Sequence, residues 1–275
     1  MDTQQRTYPD GVPSWIDLEQ RDLTATREFY GGLLGWQFEV VGAGQYVIAS
    51  LDGRDVAGLA EPEGDWATGE WNTYVAVDDA DAGAARVTAA GGRVVVPVRE
   101  AGPAGRLAVC EDPAGARFRL WQAGRRLGVQ AANEPGAWVF SNLRGVDAAS
   151  VAPFYSDVFG WEASDLGFTH LVRRPGYGDH LAGTTDPGIH ERQSSDFVPE
   201  GFADAVGWID RRDPAVPSHW HTSIGVADRD RAVADVERLG GTVLATEESE
   251  WTREALVRDP QGAELTLSQF TPPEG

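Results

Sequence analysis

The patterned part of the chain begins at residues 13–19, where apolar and polar side chains alternate as on a strand. The spacing then changes. Phe29, Leu33 and Leu34 fall on one face of a helix that starts at Asp22 or Thr24 and carries Glu28 in its first turns. Gly35 ends that helix and Trp36 opens the next strand. Residues 36–41, 45–51 and 56–60 return to strand character, divided by turns at 42–44 and at Asp52-Gly53, and 61–70 is a polar loop. The same order follows at once: strand 72–77, helix 80–90, Gly91-Gly92, strands 93–98 and 106–110, the turn Asp112-Pro113-Ala114-Gly115, and strand 116–121. Two βαβββ units therefore make one module.

The module occurs twice. Phe29, Tyr30, Gly35 and Trp36 recur as Phe154, Tyr155, Gly160 and Trp161, all 125 residues later, and Val158 and Phe159 repeat the helix face with Phe154. The later half of the second copy, 220–269, carries Gly240-Gly241 and Asp259-Pro260-Gln261-Gly262 at the corresponding places. The expected organisation is a leader at 1–11, a first module at 12–122, a linker at 123–136 and a second module at 137–270. The second module differs by an insertion at 184–218 that holds Gly188-Ile189-His190-Glu191-Arg192, Phe202, Trp208 and several prolines. A tract of this length reads as a lid over the second module or as a surface excursion or oligomer contact.

At 275 residues the chain has room for two domains. No apolar run approaches the roughly 18 residues of a membrane span, and the first residues have no signal-peptide core, so a cytoplasmic protein is expected. A net charge of −20 argues against nucleic acid and anionic membranes as partners. Cys110 is the only cysteine, which removes disulfides and thiolate metal clusters within one chain; its strand setting suits a buried inert thiol. The Gly-Gly pairs precede strands, so they end helices and do not cradle phosphates, and no nucleophile elbow, Walker loop or dinucleotide fingerprint stands in context.

The double βαβββ pattern, the Phe-Tyr…Leu-Gly-Trp signature and the closing Asp-Pro-x-Gly turn resemble the vicinal oxygen chelate superfamily, which includes glyoxalase I, bleomycin-resistance proteins, extradiol dioxygenases and fosfomycin-resistance enzymes. Trp-Asn-Thr-Tyr-Val-Ala-Val-Asp-Asp at 71–79 and Leu-Trp-Gln-Ala at 120–123 are similar to an actinobacterial tandem-module branch of it. The resemblance implies an α+β fold of two glyoxalase-like modules, each a cupped mixed sheet with helices outside. In metal-dependent members a His on the first strand, a His or Gln on the fifth and a Glu on the last hold one divalent ion, often with a carboxylate from strand four. Carried onto this chain, those positions fall on Trp15, Asn72 and Arg119 in module one and on Phe140, His221 and Thr266 in module two, with strand four near Gly58 and Gly183. Too few N and O donors stand there for a hard divalent ion, so no metal or other cofactor is expected.

Strand alternation extends each set. Module one's cup would hold Trp15, Asp17, Asn72, Tyr74, Arg117, Arg119 and Trp121; module two's would hold Trp138, Phe140, Asn142, His221, Ser223, Glu264, Thr266 and Ser268. Aromatic walls with a few fixed polar groups suit a small aromatic or acidic organic ligand, and Arg119 suits its carboxylate or phenolate; the opposing possibility is an Arg119–Asp17 pair inside a filled core. All five histidines (His170, His180, His190, His219 and His221) lie in module two. They leave open a non-standard divalent metal site of His221 with His170 or His180 and Glu264, or a metal-free acid/base pair of His221 and Glu264. Two functions follow. One is sequestration of a small molecule, as in bleomycin and antibiotic resistance; the other is a lyase, isomerase or hydroxylase/dioxygenase-like enzyme acting on a secondary metabolite. The duplicated chain is expected as a pseudo-twofold monomer or a homodimer.

Overall fold

The computed structural model describes residues 5–42, 46–62, 69–195, 198–210, 213 and 215–272. The turn expected at 42–44, the first residue of the strand expected at 45–51, the middle of the 61–70 loop and the start of the leader lie at least partly outside the described residues.

The first module is β1 (Pro13–Glu19), α1 (Leu23–Leu34), β2 (Gln37–Val41), β3 (Tyr46–Leu51), β4 (Arg54–Ala60), β5 (Glu70–Ala76), α2 (Ala80–Ala89), β6 (Arg93–Glu100), β7 (Gly105–Glu111) and β8 (Arg117–Ala123). The second is β9 (Trp138–Arg144), α3 (Ala148–Phe159), β10 (Glu162–Asp165), β11 (Thr169–Arg173), α4 (Tyr177–Gly183), α5 (Ile189–Arg192), β12 (Ala205–Asp210), β13 (His219–Gly225), α6 (Arg229–Arg238), β14 (Thr242–Glu248), β15 (Thr252–Arg258) and β16 (Glu264–Phe270). Each module forms one eight-stranded sheet, ordered β2-β3-β4-β1-β5-β8-β7-β6 and β10-β11-β12-β9-β13-β16-β15-β14. The pairs β1/β4, β5/β8, β9/β12 and β13/β16 are parallel within otherwise antiparallel ladders. No helix among the described residues is long and apolar enough to cross a membrane.

The sheets follow the sequence modules, but the compact units do not. One unit comprises Met1–Ser14, Thr73–Gly128 and Ser141–Trp220; the other comprises Trp15–Asn72, Val129–Phe140 and His221–Gly275. Each unit thus joins the first βαβββ of one module to the second βαβββ of the other, and the recurring motifs make that join. In one unit the Tyr30 hydroxyl donates to Asp259 Oδ2 at 3.0 Å; in the other Tyr155 donates to Asp112 Oδ2 at 2.9 Å. The second oxygen of each carboxylate builds the Asp-Pro-x-Gly turn, accepting from the amides of Gln261 and Ala263, or of Ala114 and Ala116. Burial raises the Asp112 pKa above the usual 3.8, against the lowering effect of the turn amides and Tyr155.

The glycines and tryptophans complete the joint. Gly91 and Gly240 turn the chain at φ +91 and +86 after their helices. At the second glycine of each pair a Cβ would press on an aromatic ring, that of Phe154 at Gly92 (2.7 Å) and that of Phe29 at Gly241 (3.0 Å). Trp36 donates to the Gly136 carbonyl at 2.7 Å and Trp161 to that of Gly11 at 2.6 Å, so each indole is tied just ahead of the other module's first strand. Of the expected α1 face, Phe29 and Leu34 are buried, but Tyr30 takes the place given to Leu33 because its hydroxyl has a partner inside. Asp22 is the N-cap, accepting from Thr24 and Ala25. Cys110 is buried, and burial pushes its thiol up to about 12, as an inert core position requires.

The insertion is corrected in two ways. Gly183, near which strand four was expected, belongs to α4, where Tyr177, Gly178 and Leu181 are buried at helical spacing. The fourth strand of that unit is instead β12, inside the tract expected to be loop; it buries Val206, Gly207 and Ile209 and pairs in parallel with β9. The strand-four position therefore falls on Trp208, which pairs with Asn142 as Gly58 pairs with Asp17.

Candidate functional site

On β1, Asp17 is fully buried yet well supplied with donors. Tyr46 gives its hydroxyl to Oδ2 at 3.0 Å, and Asn72 gives its amide to Oδ1 at 2.9 Å. Trp15 in turn donates its indole NH to the Tyr46 oxygen at 2.9 Å. Three of the expected residues thus meet in one chain of hydrogen bonds, and the sequence reading missed the fourth, Tyr46. The Tyr46 ring fits only because residue 58 is glycine: a Cβ there would lie 1.9 Å from the hydroxyl. The signal was in the hairpin, since Asp52-Gly53 sets a register in which Tyr46 sits diagonally across from Gly58.

On β5 and β8, Tyr74 and Arg119 are register partners. Arg119 donates to the Tyr74 hydroxyl at 2.7 Å, with its guanidinium 5.2 Å from the ring centroid. Trp121 meets Tyr74 edge-on at 6.2 Å and ties its NH to the Arg126 carbonyl at 3.0 Å. Tyr74, Arg119 and Trp121 therefore form one buried cationic and aromatic group. Arg117, expected with them, pairs with Glu111 at 3.0 Å at the start of β8.

In module two, His221 is buried and its Nε2 lies 2.9 Å from Thr266 Oγ1. The pairing of His221 with Glu264 is not found. Glu264 is exposed at the first position of β16 and binds Arg258 at 2.6 Å, because a carboxylate there reaches the cross-strand guanidinium in solvent. Ser223 is the register partner of Thr266, as Tyr74 is of Arg119, so the second module carries two small hydroxyls where the first has a phenol and a guanidinium. Ser268 donates to Glu254 at 3.0 Å. Trp138 is buried with its Nε1 sealed and without a hydrogen-bond partner. Phe140 and Asn142 are half-buried, and Asn142 sits beside Trp208, which stacks at a tilt on Phe202, 5.8 Å away.

His170 pairs with Ile209, on the opposite face of its strand from Leu171 and Trp208, and His180 lies on α4 with its Nε2 at 3.1 Å from Thr7. Among the described residues no three His, Cys, Asp or Glu side chains come together to hold a metal ion. At the positions of the superfamily's ligands the chain offers an indole, an amide and a guanidinium in one module and a phenyl, an imidazole and a hydroxyl in the other. These donor sets do not fit a divalent ion. A wide depression of about 510 Å³ near the start of α1, lined by Arg21, Leu23, Arg27, Val40, Val47 and Glu61, contains none of the candidate residues.

Fold and recurring motifs together define a class: the chain belongs to the glyoxalase/bleomycin resistance protein/dioxygenase superfamily. The model of that superfamily matches residues 14–120, and that of the glyoxalase-like domain matches residues 141–268. Among individual proteins, the chain is 33% identical over 276 residues to the Mycobacterium tuberculosis protein named "Putative glyoxylase CFP32", covering 96% of this chain and 97% of that one. It is also 33% identical over 283 residues to "Anthracycline biosynthesis protein DnrV" of Streptomyces peucetius, covering 96% and 94%. In fold it is similar to the Mn(II)-bound glyoxalase from Novosphingobium aromaticivorans, with a TM-score of 0.62 at 15% identity over 94% of this chain and 82% of that one. A catechol 2,3-dioxygenase gives a TM-score of 0.56 at 15% identity, covering 98% and 90%.

Proposed function

We propose that the protein binds a planar, acidic aromatic molecule, a phenolate or carboxylate on a fused ring system, and does so without the divalent ion of its metalloenzyme relatives. The observation that carries this reading is Arg119. It stands at the position where metal-binding relatives place a carboxylate, so the local charge is inverted from one that attracts a cation to one that attracts an anion. Tyr74 and Trp121 around it supply aromatic faces, and a buried guanidinium gains more from an anionic partner than an exposed one does. The relative named for anthracycline biosynthesis supports the fused-ring part, since anthracyclines are hydroxylated fused-ring quinones. Sequestration fits this arrangement best: binding needs only the cation and the ring faces.

The test is titration with 1-hydroxy-2-naphthoate after chelator treatment. Saturable binding weakened by about tenfold or more in Arg119→Leu is the expected result. Equal affinity of wild type and variant would refute the assignment. A second reading, an enzyme acting through module two, rests on the His221–Thr266 contact at 2.9 Å, which places an imidazole on a hydroxyl. It requires turnover of a bound aromatic that disappears in His221→Gln while binding persists.

A further inference from the structure

We propose that the depression beside α1 is a second ligand site, on the outer face of the first sheet, for a monoanion made of one carboxylate on an apolar chain. Its volume of about 510 Å³ is that of a small-molecule pocket. It lies away from the Asp17 group. On β3, Tyr46 reaches Asp17, so the next residue, Val47, faces the opposite side of the sheet, and Val40 is its register partner on β2. The two valines wall the depression; Val47 is buried, while Val40 is 54% exposed and open to an apolar ligand.

The charges around this wall are unmatched. In a chain of net charge −20, two guanidiniums line the depression without a carboxylate. Arg21 makes no hydrogen bond or ion pair among the described residues. Arg27 binds only its own helix, Nε donating to the Leu23 carbonyl at 3.1 Å and Nη2 to Thr24 Oγ1 at 3.4 Å, which fixes the group and leaves Nη1 to a ligand. Asp22 is occupied by the amides of Thr24 and Ala25, and Glu61 pairs with neither arginine. The second module shows that the fold does not require this arrangement. At the offset of 125 residues, Val146 and Ala152 replace the two arginines, and the Val40–Val47 pair becomes Asp165–His170. Two guanidiniums beside an apolar wall suit a carboxylate with an alkyl body. Glu61 on the same rim repels a second negative charge, which selects a monoanion over a dianion.

This site does not rest on the Arg119 reading, and octanoate, which has no ring to meet Tyr74 or Trp121, is the probe. Valine methyl resonances are followed by NMR as octanoate is added to wild type, Arg119→Leu, Arg21→Gln, Arg21→Gln/Arg27→Gln and Val40→Asp. Saturable shifts at Val47 are expected in wild type and equally in Arg119→Leu. Affinity should fall about tenfold or more in the double glutamine variant and in Val40→Asp, which installs the module-two residue. Arg21→Gln alone breaks no hydrogen bond among the described residues, so its weaker binding reads the ligand and not the fold. Suberate, the dianion of the same chain length, should bind less tightly than octanoate. Absence of a saturable shift at Val47 in wild type would overturn the proposal. So would equal affinity of wild type and the arginine variants, or equal binding of suberate and octanoate.

Discussion

Strands β1 and β9 hold the same place in the repeat, yet Pro13 to Leu18 are buried on both faces of β1, while Phe140, Asn142 and Arg144 stay half-buried along one face of β9. The residues that fill the space explain the difference. Beside Asp17 on β1, the tyrosine comes from β3 and the neighbouring β4 position is glycine; in the corresponding register of module two, β11 supplies Thr169 and β12 supplies Trp208. The bulky ring has moved from one strand to the next. In module one it closes on a carboxylate with two donors, and in module two it stands beside an amide with none. The joint between half-modules shows no such drift: both copies keep the tyrosine, the aspartate, the Gly-Gly pair and the tied indole. The two copies are alike where the half-modules assemble and differ along β1, β3 and β4 and their counterparts β9, β11 and β12.

The sharpest break of this comparison is a pair of leucine substitutions. Asp17→Leu strands the donors of Tyr46 and Asn72 in the core and should cost about 3 kcal/mol, whereas Asn142→Leu should be neutral or stabilising by up to about 1 kcal/mol. Denaturant unfolding of the two variants reads the opposite signs, and destabilisation of similar size in both would erase the distinction between the strands. Next in size is Gly58→Ala, whose Cβ would lie 1.9 Å from the Tyr46 hydroxyl; it should cost about 2 kcal/mol by overpacking. Adding Tyr46→Thr, the module-two arrangement, should relieve the clash and give a coupling of at least about 1 kcal/mol in a double-mutant cycle.

The joint gives a smaller effect with a pH signature. Tyr155→Phe removes one hydrogen bond that lowers the Asp112 pKa, so that pKa should rise further above 3.8, and stability should fall by about 1–2 kcal/mol. The sign follows from proton counting. With its folded pKa raised, Asp112 holds its proton to higher pH in the folded chain than in the unfolded one. Its contribution therefore favours the fold at pH below 3.8 and is lost as pH rises through the folded pKa, a fall that Tyr155→Phe extends upward. Carboxyl NMR titration of Asp112 checks the direction; an unchanged midpoint contradicts it. Least of all is Glu264→Gln, which breaks only an exposed pair with Arg258 and should change stability by less than about 1 kcal/mol. A larger loss, or a loss of ligand binding, would return Glu264 to the site.

The repeat, both modules and most element positions could be read from the sequence because they depend on local period and on motifs at a constant offset. Asp22, Gly35 and the Asp-Pro-x-Gly turns behaved as local chemistry dictates. What failed depended on register and tertiary partners. β12 lay hidden in a tract dense in glycine and proline, and a short apolar run at 181–183 fits a helix as readily as a strand until its packing is known. Of the expected cup residues, Trp15, Asp17 and Asn72 meet, as do Tyr74, Arg119 and Trp121, but Arg117 and Glu264 are drawn to cross-strand charges. Tyr46 was missed because a side chain reaching diagonally to a neighbouring strand leaves no mark in its own strand's alternation.

The most direct measurement is calorimetric titration of chelator-treated protein with 1-hydroxy-2-naphthoate, with and without added Mn²⁺, in wild type and Arg119→Leu. The account predicts saturable binding that is indifferent to the metal and lost with the guanidinium. Binding that appears only with Mn²⁺, or that survives the loss of Arg119 unchanged, would contradict it.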